Sequence, residues 1–234
     1  MERKTLVDTV ADQLLDRIID GDIEIGSALP SEADIAEAAN VSRLTVREAL
    51  KSLRAKNVVN VQRGRGTYVN PPRDWTSLEA TVRAAAHGVG ENNVSLQLLE
   101  VRRMIETGAA ALAALRREPE DLDLLEQHLA GMCGAAEAGD VDSFVREDIA
   151  FHDVILRASG NVLVPAMYEP LGRLLSTGRR ETSAVPLIQD HAIAMHRAVL
   201  KAIAAGDAEE SRLAMDAHMN QTQTDLMEHV LRSG

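Results

Sequence analysis

Leu6, Val10, Leu14 and Ile18 recur at helical spacing, with Asp8, Asp12, Asp16 and Asp20 on another face, which predicts an amphipathic helix over residues 5–20. Gly21-Asp22 and Gly26 end it. Ser31 with Asp34 three residues on has the pattern of a capping box opening a short helix over 32–39, stopped by Asn40. Ser42 caps a third helix over 43–56, in which Val46, Ala49, Leu50 and Leu53 face inward and Arg43, Arg47, Lys51 and Arg54 face the other way. Val58, Val59 and Val61 are β-branched, Arg63-Gly64-Arg65-Gly66 is turn chemistry, and Thr67-Tyr68-Val69 is strand-like again, so 58–69 reads as a hairpin. Helix, helix-turn-helix and hairpin together predict a winged helix-turn-helix over residues 1–70. The stretch Asn70-Pro71-Pro72-Arg73-Asp74 continues neither strand nor helix and places a linker at 71–76.

Beyond the linker no strand pattern occurs. Helical segments punctuated by Gly, Asn, Asp or Pro are predicted at 77–88, 94–116, 119–138, 141–159, 161–182, 186–205 and 207–232, an all-α antiparallel bundle filling 77–234. The fold class expected is therefore mainly α, in two domains. Hydrophobic residues make up 45% of the chain and aromatics only 2%, so the core must be aliphatic, which also disfavours a β-sandwich or barrel. Asp8, Asp12 and Asp16 break any signal-peptide core, and the apolar run from Gly108 to Leu115 is too short to span a bilayer, so a cytoplasmic protein without membrane attachment is expected. Cys133, the single cysteine, is assigned no chemistry.

The net charge of −11 is unevenly spread. Residues 1–70 are near balance, and the stretch 43–65 carries Arg43, Arg47, Lys51, Arg54, Lys56, Arg63 and Arg65 against Glu48 alone. A basic patch on an otherwise acidic chain is the footprint double-stranded DNA requires. Arg43 and Arg47, one turn apart near the start of the third helix, suit bidentate reading of guanine in the major groove. Ser42, Thr45 and the helix N-terminus can hold phosphates. Arg63, Gly64 and Arg65 at the wing tip suit a minor groove or flanking phosphates. Taken singly, each arginine reads equally as part of a solvated face; it is their combination that points to DNA.

Asp148 and His152 share one helix face at i, i+4 spacing, and His196 and His218 lie on the last two predicted helices among apolar neighbours. If the bundle brings these faces together, one carboxylate and three imidazoles can surround a divalent ion with positions left for water or a ligand oxygen. Taken alone, each histidine is as well explained by packing. His152-Asp153 also has the form of the adjacent pair in helical metal-dependent phosphohydrolases, which leaves an enzyme reading open.

The run Gly26-Ser27-Ala28-Leu29-Pro30-Ser31-Glu32, followed by Ile35-Ala36, Val41-Ser42-Arg43, Thr45-Val46-Arg47-Glu48-Ala49-Leu50, Leu53 and Arg63 to Val69, resembles the GntR family of bacterial regulators. The resemblance implies that Arg43 and Arg47 read bases and that Arg63 and Gly64 enter the minor groove. Ala33 departs from it: the family usually carries arginine there, so operator sequences of relatives do not transfer. The second domain resembles the helical ligand-binding domain of the FadR-type branch over roughly 95–225, on Val101 to Glu106, Asp148 to His152, Ala158 to Asn161, His196 to Val199 and Met215 to His218. That implies one divalent ion per subunit on Asp148, His152, His196 and His218, zinc foremost with nickel or manganese as alternatives, and His196 rather than His191 as the ligand of its helix. It further implies a small carboxylate effector, with Arg102 as its first candidate contact ahead of Arg103, Arg146 and Arg173, and Asn161 as a second contact or a helix cap. The expected protein is a homodimeric, ligand-responsive regulator, in the repressor sense, of a carboxylate or sugar-acid operon with a pseudo-palindromic operator. A purely structural metal without an effector is the remaining alternative. Trp75 resembles a residue of some sugar-acid-responsive members, though packing at the domain junction explains it as well.

Overall fold

A computed structural model describes residues 4–231, apart from the side chains of residues 91, 176–178, 230 and 231. Two compact units divide between Val94 and Ser95. In the first, α1 (Leu6–Ile19), α2 (Glu32–Ala38) and α3 (Arg43–Ala55) are followed by a hairpin of β1 (Val59–Gln62) and β2 (Gly66–Val69). Each of the three helices starts on a side-chain cap: Thr5 and Asp8 exchange hydrogen bonds as a capping box, Ser31 and Asp34 do the same, and Ser42 accepts the backbone N–H of Thr45. Asn40, at φ 51°, turns the chain from α2 into α3 in the left-handed conformation that asparagine tolerates. The strands pair antiparallel with Val59 opposite Val69, and Tyr68 also bridges Ala28, so the wing gains a third short edge that the sequence pattern did not reveal. Leu14, Leu15, Ile18, Val46, Leu53 and Val58 form the buried centre of this unit.

The chain after the hairpin differs from the predicted organisation. Pro72–Asp74 form a single 3₁₀ turn, and Trp75, expected at a domain junction, is buried in the core of the first unit with its indole N–H donated to the Asn70 carbonyl at 2.9 Å. Helix α4 (Leu78–Val89), predicted to open the second domain, packs instead on α1: Ala80 is buried, and Arg83 pairs with Asp12 and Asp16. The reason is local. Ala80 and Ala84 present a small-residue face that α1 can approach, and Asp12 and Asp16, on the polar face of α1, lie within reach of Arg83.

The second unit holds α5 from Ser95 to its end (the whole helix being Glu91–Arg116), α6 (Pro119–Ala138), α7 (Val141–Ala158), α8 (Leu163–Ser183), α9 (Pro186–Ala205) and α10 (Ala208–Asp225). Gly139 and Gly206, both in the left-handed region, close α6 and α9 and leave two-residue turns that fold α7 back on α6 and α10 back on α9. The core between them is aliphatic with few rings, centred on Phe144, Phe151, Leu125, Met132, Ile203 and Met215. The last predicted helix departs from its expected course: α10 gives way at Leu226 to a π-helical segment ending at Leu231, and residue 232 lies outside the described residues. No helix among the described residues is long and apolar enough to cross a membrane.

Burial rather than ion pairing should hold α4 in place, because half-exposed pairs such as those of Arg83 contribute little. Trp75→Ala is expected to lower stability by about 3–5 kcal/mol, and Arg83→Ala by less than about 1 kcal/mol, in urea unfolding followed by circular dichroism. A cost for Arg83→Ala equal to that of Trp75→Ala would show that the ion pairs hold the helix.

Candidate functional site

On the first unit, Arg43 is exposed at the start of α3, and Arg47, one turn on, donates from Nε to Glu32 Oε2 at 2.7 Å. Both partners of that pair are open to solvent, so a phosphate or base edge can replace Glu32 at small cost. Ser42 and Thr45 share a hydroxyl hydrogen bond of 2.9 Å beside the N-terminus of α3. At the wing, Arg63, Gly64 and Arg65 are all exposed; Gly64 has φ +76°, and the Arg65 guanidinium lies 5.6 Å from the Tyr68 ring centroid, which aligns it along the wing. The seven residues singled out from the sequence therefore lie on α3, at its cap and on the wing.

In the second unit, α7, α9 and α10 bring three buried imidazoles together. His152 and His196 approach to 3.2 Å between their Nε2 atoms, and His218 stacks on His152 with ring centroids 5.3 Å apart. Asp148 Oδ1 lies 3.2 Å from His196 Nε2 and 3.8 Å from His152 Nε2. Helical spacing on α7 places Asp148 and His152 on one face, and Met215, His218 and Met219 are all buried on α10.

The far side of each ring fixes what its near side can do. His196 Nδ1 lies 2.6 Å from the Ala192 carbonyl, which only accepts, so Nδ1 carries the hydrogen. His152 Nδ1 lies 2.6 Å from Glu106 Oε2, and the Arg102 guanidinium, which only donates, approaches His152 Nε2 at 3.4 Å. In their neutral forms both rings would turn an Nε2 lone pair towards the Asp148 carboxylate, and His218 Nε2 is buried there without a hydrogen-bond partner. Acceptors converging with no hydrogen between them repel one another; a proton on a ring or a metal ion relieves this. Three imidazole nitrogens and one carboxylate oxygen are a donor set that fits a divalent transition metal.

Two arginines complete the cluster. Arg102 donates from Nε to Glu106 Oε1 at 2.8 Å, and Arg179 from α8 donates to Asp148 Oδ2 and, at 3.3 Å, to the Tyr168 hydroxyl. Burial raises carboxyl pKa values, yet the guanidinium of Arg102 holds Glu106, and that of Arg179 holds Asp148, well below the usual carboxylate range. Burial pushes His152 down to about 4, with Glu106 opposing, and takes His218 well below its usual value, with His196 and His152 adding to the effect. Arg102, Asp148, Arg179 and His218 all line a small cavity of about 50 Å³, whose other walls include Thr182, Ser183, Gln221, Thr222 and Asp225.

Asn161 is not part of this cavity: it is exposed at the turn before α8, where its Oδ1 accepts the Leu163 N–H at 3.1 Å. His191 is also outside the imidazole cluster and pairs with Asp225 at 2.9 Å. Arg103 pairs with Asp216, Arg146 with Ser143 and Arg173 with Glu169, all away from the cavity. Sequence reading gave no role to Glu106, Tyr168 or Arg179. The i, i+4 spacing of Arg102 and Glu106 was a usable signal; nothing in the sequence separates Arg179 from its neighbour Arg180, which is exposed and pairs with Asp142.

Residues 6–69 match the family described as "Bacterial regulatory proteins, gntR family", and residues 97–221 match the FCD domain. The chain belongs to the GntR family. Among its relatives, the GntR protein LutR of Bacillus subtilis, an HTH-type transcriptional regulator, is 32% identical over 88% of this chain and 94% of its own length. An Escherichia coli protein assigned as regulator of the L-lactate dehydrogenase operon is 31% identical over 95% of this chain and 87% of its own. The galactonate operon transcriptional repressor of Escherichia coli is 30% identical over 86% of this chain and 89% of its own. This GntR protein is accordingly a transcription regulator with a helix-turn-helix for DNA and an FCD domain for a small molecule. The enzyme reading falls with that assignment, and the residue facing His152 at four-residue spacing is Asp148, not Asp153.

Histidines whose pKa is depressed by folding stabilise the native state only while they stay neutral. Their contribution is complete above the unfolded value of 6.5 and is lost as pH falls towards about 4, because the unfolded chain takes up protons the folded one resists. Urea midpoints of metal-free protein should therefore decline as pH is lowered through that window, and less steeply in His152→Gln. A flat or rising profile would contradict the buried, neutral His152 and His218.

Proposed function

We propose that this GntR protein is a cytoplasmic repressor whose homodimer holds a pseudo-palindromic operator through α3 and the wing, and that a short hydroxylated carboxylate, bound beside a divalent ion, releases it. The observation that carries the reading is the convergence of three buried imidazoles with the Asp148 carboxylate, of which Asp148 and His218 share the wall of a small cavity with two buried arginines. Asp148, His152, His196 and His218 would hold the ion, with Glu106 and the Ala192 carbonyl fixing two of the rings. Bound there, a divalent metal supplies an electrophilic centre with coordination positions open to carboxylate or hydroxyl oxygens.

The chain's own residues supply the rest. Arg102 is positioned by Glu106 to meet an anion, and Thr182, Ser183 and Thr222 offer hydroxyls to a polar substituent. The cavity's size favours acids of a few carbons, and the operon names of the lactate and galactonate relatives fit that class. Zinc is the first choice for three imidazoles with one carboxylate, with nickel or manganese next. Release of DNA requires that the acid bind the two conformations of the dimer with different affinity.

On DNA, Arg43 and Arg47 would contact bases, Ser42 and Thr45 phosphates, and Arg63, Gly64 and Arg65 the minor groove beside them. Fluorescence polarisation with the upstream region of the protein's own operon should show tight binding that Arg43→Ala weakens by about 1–3 kcal/mol. Addition of L-lactate or D-galactonate to zinc-loaded protein should lower operator affinity; chelation or His196→Ala should abolish that response and leave binding itself intact. Operator affinity indifferent to both acids in metal-loaded protein would overturn the effector assignment and support a structural metal.

A further inference from the structure

Asp148 uses its two oxygens differently. Oδ1 faces the imidazole nitrogens, and Oδ2 receives the Arg179 guanidinium. Arg179 is itself buried on the cavity wall, and its second terminal nitrogen donates to the Tyr168 hydroxyl at 3.3 Å. Arg102, in contrast, is tied through Nε to Glu106, the carboxylate that also faces His152 Nδ1. The two buried arginines are thus each matched by one buried carboxylate. The remaining buried acid on the wall, Asp225, is already engaged by His191 at 2.9 Å and by Gln221 at 3.0 Å.

We propose that Arg179 is a metal-gated carboxylate receptor: it neutralises Asp148 in the metal-free protein and turns its guanidinium to the carboxylate of the effector once Asp148 ligates a divalent ion. This rests on the metal-site reading above. Ligation draws the charge of Asp148 away from Arg179, and Glu106, the other buried carboxylate of the cluster, is already matched by Arg102. A planar guanidinium whose hold on its carboxylate is weakened, next to a cationic centre among buried side chains, is a carboxylate site. Metal and acid must then favour one another's binding, and the coupling runs through one side chain.

Zinc titration calorimetry on metal-free full-length protein, with and without L-lactate as the probe acid, tests this. In the wild type, lactate should tighten zinc binding at least about fivefold. Arg179→Gln removes the competitor for Asp148, so zinc alone should bind about fivefold or more tightly than in wild type, with no further gain from lactate. Arg179→Lys, which keeps a charge in the site if the glutamine variant does not fold, should bind zinc like the wild type but lose most of the lactate effect. Zinc binding weakened by Arg179→Gln, or lactate coupling absent from the wild type or kept in either variant, would overturn the proposal. His218→Ala separates the two readings. Undiminished zinc binding in that variant sinks the metal site and the exchange with it; zinc binding lost there but unaltered in Arg179→Gln sinks the exchange alone.

Discussion

The Glu106 carboxylate is the interaction on which the second unit depends. It is almost wholly buried, it accepts from Arg102 and Tyr168, and its second oxygen faces His152 Nδ1. A charge in that position is tolerable only because the Arg102 guanidinium lies against it; removing either partner would leave the other uncompensated at a cost of several kcal/mol. Its effect reaches further than the ion pair. Lying 2.6 Å from Nδ1, it favours the tautomer with the hydrogen there, which turns the Nε2 lone pair inward, and by engaging the Tyr168 hydroxyl it links α5 to the helix that carries Arg179. A ring that could rotate freely would not form a ligand set with His196 and His218.

The two units of this GntR protein use charge in opposite ways. In the helical unit the two arginines at the cavity are buried and each has a carboxylate partner, so their energetics are governed by desolvation and small displacements matter. On α3 and the wing, Arg43, Arg47, Arg63 and Arg65 are exposed, and the one ion pair among them, Arg47 with Glu32, is weak by virtue of that exposure. Under the proposed contacts such arginines would trade a solvated partner for a phosphate at small cost, which would make DNA affinity sensitive to salt and insensitive to core packing.

Much of this was legible in the sequence because short-range rules wrote it. Ser31 with Asp34, Ser42 with Thr45, and the left-handed Asn40 mark helix boundaries by local hydrogen bonding and backbone sterics, and the structure puts the boundaries there. The i, i+4 pair Asp148 and His152 was visible for the same reason. What was not visible depended on distant partners. Helix α4 has an ordinary helical pattern, and only its contact with α1 through Ala80 and Arg83 places it in the first unit. Arg179 has the sequence surroundings of a surface arginine and is buried because Asp148 and Tyr168 receive it. Asn161 had two readings, and its bond to the Leu163 N–H is the local one.

The central claim is that three imidazoles and one carboxylate of this chain form a metal centre. X-ray absorption at the zinc edge of the zinc-loaded protein tests it most directly. The account predicts a first shell of nitrogen and oxygen at about 2.0–2.1 Å with no sulfur, outer-shell scattering from three imidazoles, and two from the His218→Ala variant. Sulfur from Cys133 in the first shell, or a spectrum unchanged by loss of His218, would contradict it.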